Sequence, residues 1–335
     1  MTPGSVAPFG ARSPGANLCH PIRGSGIFSS AGIAVLLALL FLSSVASSCS
    51  RQTPAKDWNT KTTRAYISNP LPHAPIFIVQ RDDKTYNKIG TPVLSGSRVI
   101  VDPEKATLFF ERRPFQTKNG RYENQIFRIH FQRVPFGLRT STGKNVGQFV
   151  IVTVNERKQP VLVTTIDTCG RHLHFFPTNY LPNEQYPLGW KVRPHEFSDS
   201  DLYPGYTLQA DLDEWKHRLA IFIRKTEHHV ADVAWVRPQE IQAKYDTCPI
   251  ALEHISELKK IPFFTSRGYV NNNTKPFEFL LMSWWTLDRH VRRDKALTSP
   301  EAKSPMFYTD LTPWGRQPSD MRDFATFLNF WGWRL

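Results

Sequence analysis

Short apolar runs spaced by turn residues dominate the chain from Ala74 onward, and they predict strands. Ile76–Val79, Arg98–Val101 and Ala106–Phe110 are brief and β-rich, while Gln125–Phe131 alternates apolar and polar positions as a half-buried strand does. Two hairpins stand out. In the first, Gly147–Val154 and Val161–Ile166 carry β-branched residues on both sides of the polar turn Asn155–Pro160. In the second, Arg218–Arg224 is followed by Val230–Val236. Between the hairpins, Pro177–Pro204 holds five prolines without periodicity and predicts a long structured loop.

The last hundred residues change rhythm. Ile250–Lys260 reads as a short helix stopped by Pro262. Phe277, Leu280, Leu281, Trp284, Leu287 and Val291 recur at three- and four-residue steps, and Phe279, Met282 and Trp285 make that helix apolar nearly all round. A final helix is cued by Ser319 as N-cap, with Asp320 and Asp323 in its first turn and a stripe of Met321, Phe324, Ala325, Leu328 and Trp331. Phe327, Phe330 and Trp333 fall outside this stripe; core packing is the simpler expectation for these C-terminal aromatics, with contact at an interface or partner as the alternative. The expected fold is α+β: a mainly antiparallel sheet with C-terminal helices packed against it. Strand and helix do not alternate regularly, which argues against doubly wound and TIM-barrel folds.

The first fifty residues follow different rules. Ile27–Ala46 is a run of twenty uncharged residues, preceded only by the charges Arg12 and Arg23. A cationic start, an apolar centre and small residues behind it make an export signal. Val45-Ala46-Ser47-Ser48-Cys49 then resembles a bacterial lipoprotein signal. That resemblance implies that Cys49 becomes the mature N-terminus and carries acyl chains, palmitate among them. Ser50 in place of Asp implies outer-membrane delivery if the cell is Gram-negative. Two alternatives stay open: cleavage after Ser44-Val45-Ala46 to release a free protein, and retention of the apolar run as an anchor, for which about 20 residues suffice. All three place the rest of the chain outside the cytoplasm. The expected organisation is an export signal over residues 1–48, a polar tether over 49–73, and one globular domain over 74–335 that is β-rich to about residue 237.

Charge and composition narrow the partners. The chain of 335 residues is 40% hydrophobic and 21% charged, an ordinary globular mixture that excludes collagen, coiled coil and wholesale disorder. Removing the two arginines of the export segment from the formal net charge of +13 leaves +11. Outside the cytoplasm such a surface suits anionic lipid or polysaccharide, with an envelope protein as a further partner, and nucleic acid is not expected. The cluster Arg289–Lys295 reads as a solvated helix face.

Candidate chemistry centres on cysteine and histidine. Cys169 and Cys248 each follow Asp-Thr, and in an oxidising compartment a disulfide between them is the simplest expectation. His172 and His174 project to one face if they lie on a strand, and two neutral imidazoles there can chelate a transition metal. Cys169, Cys248, His195, Glu196, His228, His229 and His254 are the possible further ligands, although no cofactor is the simpler expectation. His228 and His229 are adjacent, so a strand would turn them apart, and their place at a hairpin tip suggests a polar turn. Nucleophile-elbow, Walker, dinucleotide, zincin and C-x-x-C motifs are all missing from the sequence. The sequence therefore points to a lipid-anchored cell-envelope binding or support module, the alternative being a metal-dependent hydrolase or oxidoreductase built on His172 and His174.

Overall fold

The computed structural model describes residues 58, 61, 63–69, 71–80, 84–135, 142–168, 172–190, 193–194, 206–208, 217–261, 309–310 and 314–335. Strands dominate these residues. In chain order they are β1 (Thr63–Ser68), β2 (Ile76–Gln80), β3 (Ile89–Ser95), β4 (Arg98–Asp102), β5 (Thr107–Gln116), β6 (Arg121–Val134), β7 (Gly143–Asn155), β8 (Pro160–Asp167), β9 (His174–Pro177), β10 (Arg193–Pro194), β11 (Tyr206–Thr207), β12 (Arg218–Ile223), β13 (Val230–Val236) and β14 (Asp246–His254). Two helices of seven residues each accompany them, α1 (Pro238–Lys244) and α2 (Phe324–Phe330).

One twelve-stranded sheet runs in the order β13-β12-β2-β1-β14-β5-β6-β7-β8-β9, with β3 and β4 attached beside β6. It is mixed: β1–β14, β14–β5 and β12–β2 are parallel pairs and the others antiparallel. The sheet curls into a half-barrel. This corrects the expectation of a mainly antiparallel sheet carrying C-terminal helices. The stretch 250–260 shows why. Its apolar residues are spaced as in a helix, yet β14 runs to His254 and joins β1 to β5, leaving Leu252 exposed and only a 3-10 turn at Ile255–Lys260. The residue pairs that close this parallel connection are distant in sequence. Arg64 and Asp246, for example, form an ion pair at 2.9 Å. The Phe277–Val291 stripe and the Arg289–Lys295 cluster lie outside the described residues.

The expected tether is also corrected. Thr63–Ser68 forms β1, a strand paired on both edges, and Trp58 is buried with its ring 5.1 Å from that of Phe222. Both predicted hairpins are present, as β7–β8 and β12–β13.

The curl gives the sheet an inner and an outer face. Phe127, Val150, Thr165 and His174 stand opposite one another across β6, β7, β8 and β9, and the next row is Ile129, Gln148 and Asp167. Residues directly opposite share a face. The apolar members of this inner face pack against Tyr66, Phe77, Leu219, Ile221 and Val233 from the other end of the strand path. On the outer face, Ile126, Phe149, Ile151, Leu162 and Ile166 lie under Phe324, Phe327, Leu328 and Trp333. The outer face of the opposite end lies under Trp58 and, from α1, Ile241 with the neighbouring Tyr245.

The C-terminal helix starts later than predicted. Asp323 caps it, its carboxylate accepting from the Thr326 N–H at 3.1 Å, whereas Ser319 is buried and its hydroxyl accepts from the Thr309 and Asp310 amides. Phe327 and Trp333 belong to the core, Trp333 reaching it where the chain after α2 turns back through Gly332 at φ 88°. Trp314 is 79% exposed and Trp333 only 1%. Trp333→Ala is therefore expected to cost about 3–5 kcal/mol in urea unfolding. Trp314→Ala is expected to change stability by less than about 0.5 kcal/mol. Equal effects would contradict this packing.

Candidate functional site

At one end of the inner face, four chain segments that are distant in sequence meet. β8 ends at Asp167 and β9 begins at His174. Between them His172 takes a left-handed backbone (φ 52°), and its Nδ1 lies 3.1 Å from the Asp167 carboxylate. Carboxylate pairing of this kind fixes the orientation of an imidazole.

The facing segment is the tip of the β12–β13 hairpin. There the Arg224 N–H donates to the His229 carbonyl at 3.1 Å. Thr226 and His228 both have positive φ, at 72° and 59°. The Asn87 side-chain oxygen accepts from the Thr226 N–H at 2.8 Å and from His228 Nε2–H at 3.0 Å. Gln148 Nε2 donates to the His228 carbonyl at 3.2 Å. The His228 ring stacks on Phe131, with centroids 4.1 Å apart and planes 11° off parallel. The polar residues of the hairpin tip are packed against the sheet, with His228 only 3% exposed.

His229 completes the cluster. Its ring lies 5.4 Å from that of His172, and its Nδ1 is 3.8 Å from the Glu227 carboxylate. Burial, then the neighbouring His172 and Arg224, hold the His229 imidazole down to about 3. Burial, then His172, hold His174 down to about 4 against a smaller pull from Asp167. Both rings are neutral at pH 7 and offer unprotonated nitrogens at the edge of an apolar core.

The other expected site residues fall elsewhere. His172 and His174 do not share a strand face, because the strand begins only at His174 and His172 sits in the turn before it. Among the described residues no three His, Cys, Asp or Glu side chains converge to hold a metal ion. His172 and His174 lie in a cluster of imidazoles and carboxylates with His229, Asp167 and Glu227. His254 accepts from the Ser256 N–H at the start of the 3-10 turn. Among the described residues Cys248 is a free thiol on β14, opposite Tyr66, and its expected partner Cys169 is not described. Cys49, Cys169, His195 and Glu196 lie outside the described residues. Sequence reasoning missed Asn87 and Gln148, for which no motif exists, and it read Asp167 only as part of an Asp-Thr-Cys tripeptide. No protein-family model, curated protein or solved structure matches this chain.

The depressed imidazoles have a consequence for stability. A histidine whose folded pKa lies below the ordinary value of about 6.5 binds fewer protons folded than unfolded. Stability is then complete above pH 6.5 and is lost as pH falls, down to about 4 for His174 and about 3 for His229. Buried His130, depressed by desolvation and by Arg128, acts in the same direction. The thermal midpoint of the protein is expected to fall between pH 6.5 and pH 4, and a His174→Gln variant is expected to lose less over that interval. A variant that falls as steeply as the wild type would refute this role for His174.

Proposed function

We propose that the chain is an exported, lipid-anchored protein of the cell envelope whose half-barrel serves as a binding or support module at the membrane surface. The observation that carries this reading is the uncharged run Ile27–Ala46 followed by Cys49, nine residues before the buried Trp58. At no more than about 3.6 Å per residue, that spacing holds Trp58 within about 35 Å of the lipidated cysteine. The domain then works close to the bilayer, and the excess of basic residues suits it to anionic lipid headgroups or polysaccharide. Docking of Trp58 beside Phe222 ties the anchor end of the chain to the half of the sheet that contains β2 and β12.

Acylation is directly testable. In bacteria expressing the full chain and fed an alkynyl fatty acid, the protein is expected to take up label and to fractionate with membranes. Cys49→Ala is expected to abolish the label. A wild-type protein recovered unlabelled, or a labelled Cys49→Ala variant, would overturn the anchor.

A further inference from the structure

We propose that the end of the sheet where the β5–β6 and β7–β8 turns meet the segment after α2 is a docking face for an anionic polysaccharide, held by Lys118, Arg121, Arg157 and Arg334. The proposal rests on the envelope reading above for where the chain works, and it names the surface and the partner that this reading leaves open.

Three parts of the chain build this face. β5 and β6 run out to a turn in which the Thr117 N–H donates to the Gly120 carbonyl at 3.0 Å. Tyr122 on β6 stands opposite Asn155, where β7 ends, so the β7–β8 turn lies beside the first. Lys158 of that second turn reaches Glu123 of β6 at 3.2 Å. The segment after α2 joins them, because the Asn119 side-chain amide donates to the Arg334 carbonyl at 2.7 Å. Lys118, Arg121, Arg157 and Arg334 are thereby gathered at one end, and all four are exposed. The ion pairs of this end engage other cations: Arg112 and Lys158 lie at Glu123, and Arg113 at Glu111. Among the described residues none forms an ion pair with the four. Glu156 and Glu184 are the exposed carboxylates nearest to them in these segments.

The exposure of these cations selects a polymer. A single exposed ion pair contributes little in water, so a small anion that touches one or two of them gains little. A chain of acidic sugars carries a repeated charge and engages all four at once, each contact raising the effective concentration for the next. The position of the face then selects polysaccharide over anionic headgroups. β1, β14 and β5 run parallel to one another. Trp58 packs beside Phe222, which is level with Ile78 on β2 and hence with Ala65 near the start of β1. The β5–β6 turn follows the far end of β5, roughly 40 Å further along the strand direction. Cys49 precedes Trp58 by nine residues, so the anchor joins the domain at one end and the cations stand at the other. A face at that end meets the polymers of the envelope rather than the bilayer that holds the chain.

Binding of the full chain in nonionic detergent to polygalacturonate, with uncharged dextran as the control polymer, tests the face. The protein is expected to bind polygalacturonate and not dextran at low ionic strength, and to release it in about 0.5 M salt. Lys118→Gln/Arg121→Gln/Arg157→Gln/Arg334→Gln is expected to bind about tenfold more weakly or worse. Arg98→Gln/Lys144→Gln/Lys225→Gln/Lys244→Gln removes the same charge from exposed positions elsewhere and is expected to stay within about twofold of the wild type. Should the first variant not fold, Arg121→Gln/Arg157→Gln is expected to weaken binding by about threefold or more. The same variants are compared on vesicles of phosphatidylglycerol and phosphatidylcholine, where both are expected to match the wild type. The proposal is overturned if the wild type ignores polygalacturonate, if the two quadruple variants weaken alike, or if the first loses vesicle binding as it loses the polymer. Binding in detergent needs no acyl chain, so an unlabelled Cys49 and an inert cationic face are separate results.

Discussion

Self-contact of one apolar face organises this molecule. The inner face of β6, β7 and β8 packs against β1, β2, β12 and β13 of the same sheet, and the largest buried cluster among the described residues is the product of that contact. A flat twelve-stranded sheet would leave both faces to be covered by other elements. Curling lets the sheet bury one face against itself, and among the described residues α1, α2 and the C-terminal segment pack on the outer side. Burial of this kind is non-directional and fixes no stopping point by itself. The stopping point comes from polar groups at the end of the curl, where Asn87, Gln148 and the β12–β13 tip exchange hydrogen bonds.

The junction combines opposing demands. Its hydrogen bonds need specific geometry, which the chain supplies by accepting left-handed backbone at Thr226, His228 and His172. Its imidazoles lie at the rim of an apolar core, where charge is costly. The cluster is consistent at neutral pH, when His174 and His229 are uncharged, and loses that consistency in acid.

Local pattern made part of this fold legible. The β7–β8 and β12–β13 hairpins and the alternating strand β6 could be read because each is stabilised by neighbours in sequence. β1 could not, since Thr-Arg-Ala-Tyr-Ile-Ser looks polar and becomes a strand only by pairing with β2 and β14. β14 was hidden for a similar reason: its spacing suits a helix, and its parallel partners lie far away in sequence. At the candidate site the sequence pointed to His172 and His174 but misjudged their relation, because a positive φ at His172 takes it off the strand. Asn87 stands 141 residues from His228, and no spacing rule reaches that far.

Closure of the curl through this polar junction is the central claim, and a double-mutant cycle on Asn87→Ala and His228→Ala at neutral pH tests it most directly. The two side chains are predicted to couple by about 1–2 kcal/mol in unfolding free energy, as hydrogen-bonded partners in one network do. Additive effects, with coupling below about 0.3 kcal/mol, would contradict it.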